Sequence, residues 1–320
     1  MDAAALKAYA SQHLEGVCRL MEETLSSDVA LLNATNQTVL KGGGKRIRPL
    51  LTLLSAGACG KRTPDTDKVA AAAEILHNAT LLHDDVVDGA AIRRGKPTVM
   101  ALLNAPASVL IGDHWLARAM RLILSTASHT LEYTRLFSQT LDDLAQGEIL
   151  QLQKSERCDT TFADYLRIIH CKTASLFEVS ARTGALSADA SPEMTDALGA
   201  YAHHLGLAFQ IKDDILDYKG GDIGKPVGQD LNERKVTMPL LAALEMVGEE
   251  RQREIRELFA AGGHEEEILA FVLDKGGISK AQEVLESYIE KAIGSLAPLP
   301  ESEPKSVLVS LARYSSIRTQ

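Results

Sequence analysis

Aromatic residues are scarce in this chain: six Phe, seven Tyr and one Trp make up 4% of it. Hydrophobic residues reach 45%, so a sizeable core is available, but Ala, Leu, Ile and Val must build it. The chain also lacks an excess of positive charge. A formal net charge of −9 argues against nucleic acid as a partner and gives no long-range attraction to anionic lipid. Any phosphate must therefore be held by local Lys and Arg clusters or by metal. No uninterrupted apolar run approaches the roughly 18 residues that a membrane helix needs, so no membrane span is expected. The four cysteines, Cys18, Cys59, Cys158 and Cys171, have no metal-ligand spacing and no secretory context, and they read as reduced thiols of a cytoplasmic protein. Met1 to Ala4 opens an ordinary helix with neither a basic n-region nor an apolar h-region, and no signal peptide is expected. No stretch alternates cleanly enough for a strand, and neither short-period repeats nor low-complexity linkers occur. One all-α domain over residues 1–320 is the economical reading.

What is present is helical periodicity. Residues 3–39 carry Leu6, Tyr9, Leu14, Val17, Leu20, Met21 and Leu25 at helical spacing and predict one or two amphipathic helices. Gly42-Gly43-Gly44 ends them. Pro49 suits the first turn of the next helix and sets Lys45 and Arg48 at its N-terminal end, where backbone N–H groups favour an anion. Residues 50–59 and 67–87 read as helices separated by a turn over 60–66. Further helices are expected at 109–125, 128–153, 161–186 and 192–218. Short helices follow from 239 to 316, in a final third that reads as scaffold with mostly solvated charge.

The chemistry concentrates between Leu81 and Thr98. Asp84 and Asp88 are four residues apart and stack on one helix face, with Asp85 beside them. Carboxylates at that spacing repel one another unless a cation sits in front of them. A hard divalent ion with oxygen ligands fits, and Mg²⁺ is commonly held by one or two carboxylates plus substrate phosphates. Arg93 and Arg94 follow closely enough to grip such a phosphate. The pattern then recurs: Asp213, Asp214 and Asp217 repeat the Asp-Asp-x-x-Asp spacing after an apolar helical run and before a basic loop. Two such clusters, facing each other across one cavity, would hold several cations. His77 lies seven residues before Asp84, two turns back on roughly the same face. Lys172 and Thr173 stand in an otherwise apolar run, where burial is costly unless they bond a partner.

Taken together, Gly43-Gly44-Lys45-Arg46-Ile47-Arg48-Pro49, the two aspartate clusters, Arg93-Arg94-Gly95, Gly112-Asp113, Lys172-Thr173, Phe209-Gln210 and Gly224-Lys225 resemble the trans-isoprenyl diphosphate synthase family. The motifs run in the family's order across residues 40–240. Within the family, the stretch from Ala79 to Asp88 is most similar to the long-chain, octaprenyl-type enzymes. The resemblance implies a bundle of antiparallel helices around a deep central cavity, as a homodimer. It implies Mg²⁺-dependent condensation of isopentenyl diphosphate with an allylic diphosphate, to a long all-trans polyprenyl diphosphate or, alternatively, to a geranylgeranyl or farnesyl product.

The same resemblance assigns roles. Asp84, Asp85, Asp88, Asp213, Asp214 and Asp217 serve the metals, about two or three ions. Arg93, Lys172 and Lys235 hold the allylic diphosphate, and Lys225 joins the substrate-binding residues. Lys45, Arg48, His77 and Arg94 form a metal-free isopentenyl diphosphate site whose charge is their own. Thr173 and Gln210 stand beside the reacting carbons, and the small Ala79 and Thr80 leave the channel for the growing tail open. No terminal arginine can be matched among residues 313–320. Peripheral membrane contact is expected only for product release. A terpene cyclase is disfavoured by the few aromatics, since such enzymes steady migrating cations on ring faces. A non-catalytic subunit would be expected to have lost aspartates or arginines, and a plain cation binder would not need the basic clusters.

Overall fold

The computed structural model describes residues 3–42, 44–93, 95–219 and 228–318. They are helical almost throughout: α1 (Ala3–Leu25), α2 (Ala30–Leu40), α3 (Ile47–Ala58), α4 (Pro64–Val87), α5 (Val99–Leu102), α6 (Ala105–Leu124), α7 (Thr130–Arg157), α8 (Phe162–Ile169), a π-helical turn (His170–Ala174), α9 (Ser175–Ser187), α10 (Pro192–Lys219), α11 (Gln229–Asn232), α12 (Met238–Glu245), α13 (Glu249–Ala261), α14 (Glu265–Asp274), α15 (Gly277–Ser295) and α16 (Glu303–Ile317). Strand among the described residues is confined to a ribbon of β1 (Ile92–Arg93) and β2 (Lys96–Pro97), antiparallel, with Arg93 opposite Lys96. None of these helices is long and apolar enough to cross a membrane.

The chain forms two compact units. One comprises residues 1–138, 179–198 and 299–307, the other residues 139–178, 199–298 and 308–320. Each is built around one largely buried helix.

In the first unit that helix is α4, packed against α1, α3 and α6. Every residue from Val69 to Leu76 is buried, so this stretch has no solvent face and the usual polar stripe is missing. The small side chains of Ala70 to Ala73 let its neighbours approach closely. Thr63 caps its start, with Thr66 closing a reciprocal box, and Pro64 takes the first helical position. The sequence reading leaves Pro64 in the preceding turn; its fixed φ and absent N–H instead make it the opening residue. Asp65 in the first turn accepts the backbone N–H groups of Ala127 and Ser128 at 2.8 and 2.9 Å, which anchors the loop after α6. Further along, His83 bonds the carbonyl of Val109 at 3.2 Å. A Cβ at Gly112 would lie 2.3 Å from His83 Nε2, so glycine there leaves room for the His83 ring between α4 and α6. Trp115 on α6 donates to the buried Asn36 of α2 at 2.8 Å.

In the second unit the buried helix is the C-terminal part of α10, where Tyr201, Ala202, Leu205, Leu207, Ala208, Ile211, Ile215 and Tyr218 are all in the core. A Cβ at Gly206 would meet Ala174 Cα at 2.5 Å, so α10 runs directly against the π turn. Tyr201 donates to the carbonyl of Leu308 at 2.7 Å and ties α16 to α10. The final third, expected as scaffold, supplies part of the core. Met238 to Leu244 of α12 are all buried, and α12 packs on α8, α14 and α15. The helix expected over 161–186 is interrupted by the π turn, and α11 adds a short helix the periodicity does not show.

Candidate active site

Both buried helices end in an aspartate cluster. Asp84 and Asp85 occupy the last turn of α4, and Asp88 is its C-cap. A helix C-terminus carries partial negative charge, so three carboxylates there are unfavourable without cations, and that turn contains no basic residue. The ribbon supplies one. It folds back after Gly89, and Arg93 Nε donates to Asp85 Oδ1 at 2.6 Å. Asp85 is 4% exposed and spent on this pair, whereas Asp84 is half-buried and Asp88 exposed. The expectation of no strand misses the two-residue ribbon that delivers Arg93.

In the same unit Lys45 precedes α3 and Arg48 lies in its first turn. Between them Arg46 takes a left-handed conformation with φ of 46° and turns its guanidinium to the Leu40 carbonyl and the Cys18 thiol. Arg46 is thereby committed to the fold. His77 lies on α4, against which α3 packs, and is half-buried. Ala79 is fully buried. Thr80 is half-buried and its hydroxyl donates to the His77 carbonyl at 2.8 Å. Arg94 lies outside the described residues, as does Lys225.

The second cluster occupies the C-terminal end of α10, and its three carboxylates do different things. Asp214 is buried: Gln210 donates to its Oδ1 at 3.0 Å, and the Tyr165 hydroxyl donates to its Oδ2 at 2.5 Å, with the Met238 N–H at 3.4 Å. Asp217 accepts the N–H groups of Gln229 and Asp230 at 3.2 and 3.1 Å, capping α11. Asp213 has a side chain 43% exposed, and Arg318 donates to it at 2.7 Å. That arginine is itself 3% exposed, bonded to the Phe209 carbonyl and stacked 3.9 Å from the Phe209 ring.

Of these groups, Asp214, Gln210 and Tyr165 border a cavity of about 170 Å³ that Gln151, Lys172, Asp230 and Lys235 also line. Lys172 bonds Glu148 at 2.7 Å and Gln151 at 3.0 Å. The Thr173 hydroxyl donates to Gln210 Oε1 at 2.8 Å, so Thr173, Gln210 and Asp214 form one chain of hydrogen bonds. Lys235 pairs with Glu233. Burial raises the pKa of Asp214 despite its three hydrogen bonds, and raises that of Asp230, which also feels the charges of Asp214 and Asp217. Burial and the neighbouring Asp214 likewise push the Tyr165 hydroxyl well above the ordinary phenol range, so it stays a donor. The carboxylate and amide oxygens of Asp214, Asp230, Gln151 and Gln210 are donors of the kind that suits a hard divalent cation.

Sequence reasoning singles out Lys172, Thr173, Gln210 and the aspartates of this half. It does not assign Tyr165, Asp230 or Arg318. Asp230 has one legible signal, a Gly228 that starts α11 at φ of 76°. Tyr165 and Arg318 have none, because they reach Asp214 and Asp213 from 49 and 105 residues away.

Two all-α units, each built around a buried helix that ends in metal-suited carboxylates, with basic and polar groups for phosphate beside them, define a diphosphate-handling enzyme. The polyprenyl synthetase family model matches residues 29–275, and the chain belongs to that family. It is 40% identical over 315 residues to an all-trans-nonaprenyl-diphosphate synthase (geranyl-diphosphate specific) of Rhodobacter capsulatus, covering 97% of this chain and 96% of that one. It is 38% identical to the octaprenyl diphosphate synthase of Escherichia coli (strain K12), covering 98% of both. Among solved structures it is similar to a polyprenyl synthase from Caulobacter crescentus CB15 complexed with calcium and isoprenyl diphosphate. The TM-score there is 0.91 at 35% identity, covering 100% of this chain and 98% of that one. The fold is the all-α fold of isoprenoid synthases, and the protein is a prenyltransferase.

Proposed function

We propose that residues 1–320 work as one prenyl synthase domain, in the cytoplasm, and join isopentenyl diphosphate repeatedly to an allylic diphosphate to give a long-chain all-trans polyprenyl diphosphate. The observation that carries this reading is the hydrogen-bonded Thr173–Gln210–Asp214 chain beside Lys172 and Lys235 at one cavity. It sets cations for a diphosphate next to fixed dipoles for the carbons that react.

Several Mg²⁺ ions, held by Asp84, Asp85, Asp88, Asp213, Asp214 and Asp217, would neutralise the leaving diphosphate as Lewis acid and template. The calcium and isoprenyl diphosphate with which the Caulobacter relative is complexed support a divalent ion with this substrate class. Asp85 keeps Arg93 in place, Asp214 keeps Gln210 in place, and Asp217 fixes α11. Arg93, Lys172 and Lys235 hold the allylic diphosphate oxygens, and Lys225 joins the substrate-binding residues. Lys45, Arg48, His77 and Arg94 hold isopentenyl diphosphate by charge-assisted bonds. The allylic C–O bond breaks, the double bond of isopentenyl diphosphate attacks the resulting cation, and the proton lost in forming the new alkene passes to the released diphosphate. Long products are supported by the nonaprenyl and octaprenyl relatives and by the small Ala79 and Thr80 on α4, along which the tail would run. The chain works as a homodimer, and the exposed Leu102, Leu103, Val109 and Leu110 at α5, its C-cap and α6 are apolar side chains that a second copy could cover.

The test is incubation of the purified protein with labelled isopentenyl diphosphate, an allylic primer and Mg²⁺, followed by chromatography of the product. A ladder ending beyond geranylgeranyl length, and no product after chelation, is expected. A product of farnesyl or geranylgeranyl length would overturn the long-chain reading.

A further inference from the structure

Away from the aspartate clusters, the second unit brings together two histidines and a glutamate that the prenyl transfer chemistry does not use. His170 opens the π turn, Glu178 follows on α9, and His203 faces them from α10. The Nδ1 atoms of His170 and His203 are 3.2 Å apart, and His203 Nδ1 lies 3.7 Å from Glu178 Oε2. One ligand atom from each of the three residues falls within 4.8 Å of the others. All three are half-buried, and none lines the cavity beside Asp214.

Two ring nitrogens that face each other can share only one proton. Their separation also matches two nitrogens on one tetrahedral ion, which Zn–N bonds of about 2.0–2.1 Å place roughly 3.3–3.4 Å apart. In a straight α-helix the eight residues from His170 to Glu178 would rise about 12 Å. Here the π turn lies between them and His203 reaches in from α10, which Gly206 allows to run against that turn. A single π turn inside a helix commonly marks a functional position. The neighbouring His204 lies edge-on to His203 at 5.2 Å, and its buried Nδ1 has no hydrogen-bond partner.

We propose that His170, Glu178 and His203 form a binding site for a borderline divalent transition metal, Zn²⁺ by best match, separate from the oxygen-donor aspartate clusters. Two imidazoles and one carboxylate select Zn²⁺, Co²⁺ or Ni²⁺ over Mg²⁺, which prefers oxygen and an octahedron. Three protein ligands leave one position for water. Such a metal ties the first residue of the π turn to α10, two residues before Lys172 and three before Thr173.

The experiment uses the full chain, stripped with chelator and titrated with Co²⁺ in excess Mg²⁺, with visible absorption as readout and Zn²⁺ as competitor. One Co²⁺ per chain, showing the bands of a four-coordinate ion and displaced by Zn²⁺, is expected. His203→Gln and, separately, His170→Asn should each weaken Zn²⁺ by about 100-fold or more, since changes even to outer partners of a metal site cost 10- to 100-fold. Both should keep the helical circular dichroism of the parent. Asp84→Ala and Asp213→Ala should keep the site intact. Absence of the bands in the parent, retention of them in both histidine variants, or their loss with the aspartate variants would overturn the proposal.

Discussion

Arg318 donates to Asp213 across 2.7 Å, although 105 residues separate them in the chain. The pair joins the residue after α16 to a partly exposed carboxylate of the second cluster. The guanidinium is 3% exposed and lies on the Phe209 ring, so it cannot leave without uncovering both. Arg318→Gln should therefore lower stability by about 1.5–3 kcal/mol, the range for hydrogen bonds to charged groups. An unchanged urea midpoint would show that the pair is dispensable to the fold.

Asp84→Ala and Asp213→Ala are expected to cut turnover by at least about 100-fold while leaving the far-ultraviolet circular dichroism unchanged, because each removes charge stabilisation needed only as the diphosphate departs. Asp85→Asn should act differently. It releases Arg93, so its larger effect is expected on the KM for the allylic primer. Steady-state kinetics at saturating Mg²⁺ separate the two behaviours, and near-normal turnover in the Asp84 or Asp213 variant would contradict the mechanism.

Lys45→Ala and Arg48→Ala are expected to raise the KM for isopentenyl diphosphate by tens- to about a hundredfold, the equivalent of one lost charge-assisted bond, and to move that of the primer much less. Equal weakening of both substrates would assign these residues to another site.

Product length should respond to bulk on α4. Ala79 is fully buried, so Ala79→Tyr must also displace neighbouring helices, whereas Thr80 is half-buried and accepts a ring more easily. Both substitutions are expected to shorten the product while Mg²⁺-dependent elongation continues. Chromatography showing full-length product from an active Thr80→Tyr enzyme would place the tail elsewhere.

Acid should weaken the start of α8. Burial opposes the charge on Asp164, but Lys154 at 2.9 Å and the bonds from Thr161 outweigh it and take the carboxyl down to about 2. A folded-state pKa below the unfolded value of about 3.9 stabilises the fold above that value and loses its effect as pH falls from about 4 towards 2. Asp164→Asn should therefore destabilise by on the order of 1 kcal/mol at pH 7, with the gap to the parent closing as pH drops below 4. Urea titrations at pH 7, 4 and 3 measure that gap, and a gap that widens in acid would reverse the assignment.

The sequence by itself determined the helices, their approximate ends and the chemistry at them. Helical periodicity, Gly and Pro breaks, and two Asp-Asp-x-x-Asp segments are local features, and local sterics and charge act within a few residues. Polyprenyl synthetase membership was legible for the same reason, since the motifs are short contiguous runs. Only the tertiary structure decided what each carboxylate does. Asp85 and Asp214 look equivalent to their neighbours in sequence, yet one is spent on Arg93 and the other on Tyr165, Gln210 and the Met238 N–H. The ribbon that delivers Arg93 is too short to leave a periodic trace. The meeting of His170 with His203, and of Arg318 with Asp213, depends on how whole helices pack, through close approaches such as Gly206 against Ala174. Packing is a property of pairs of surfaces far apart in the chain, and no window along the sequence contains both.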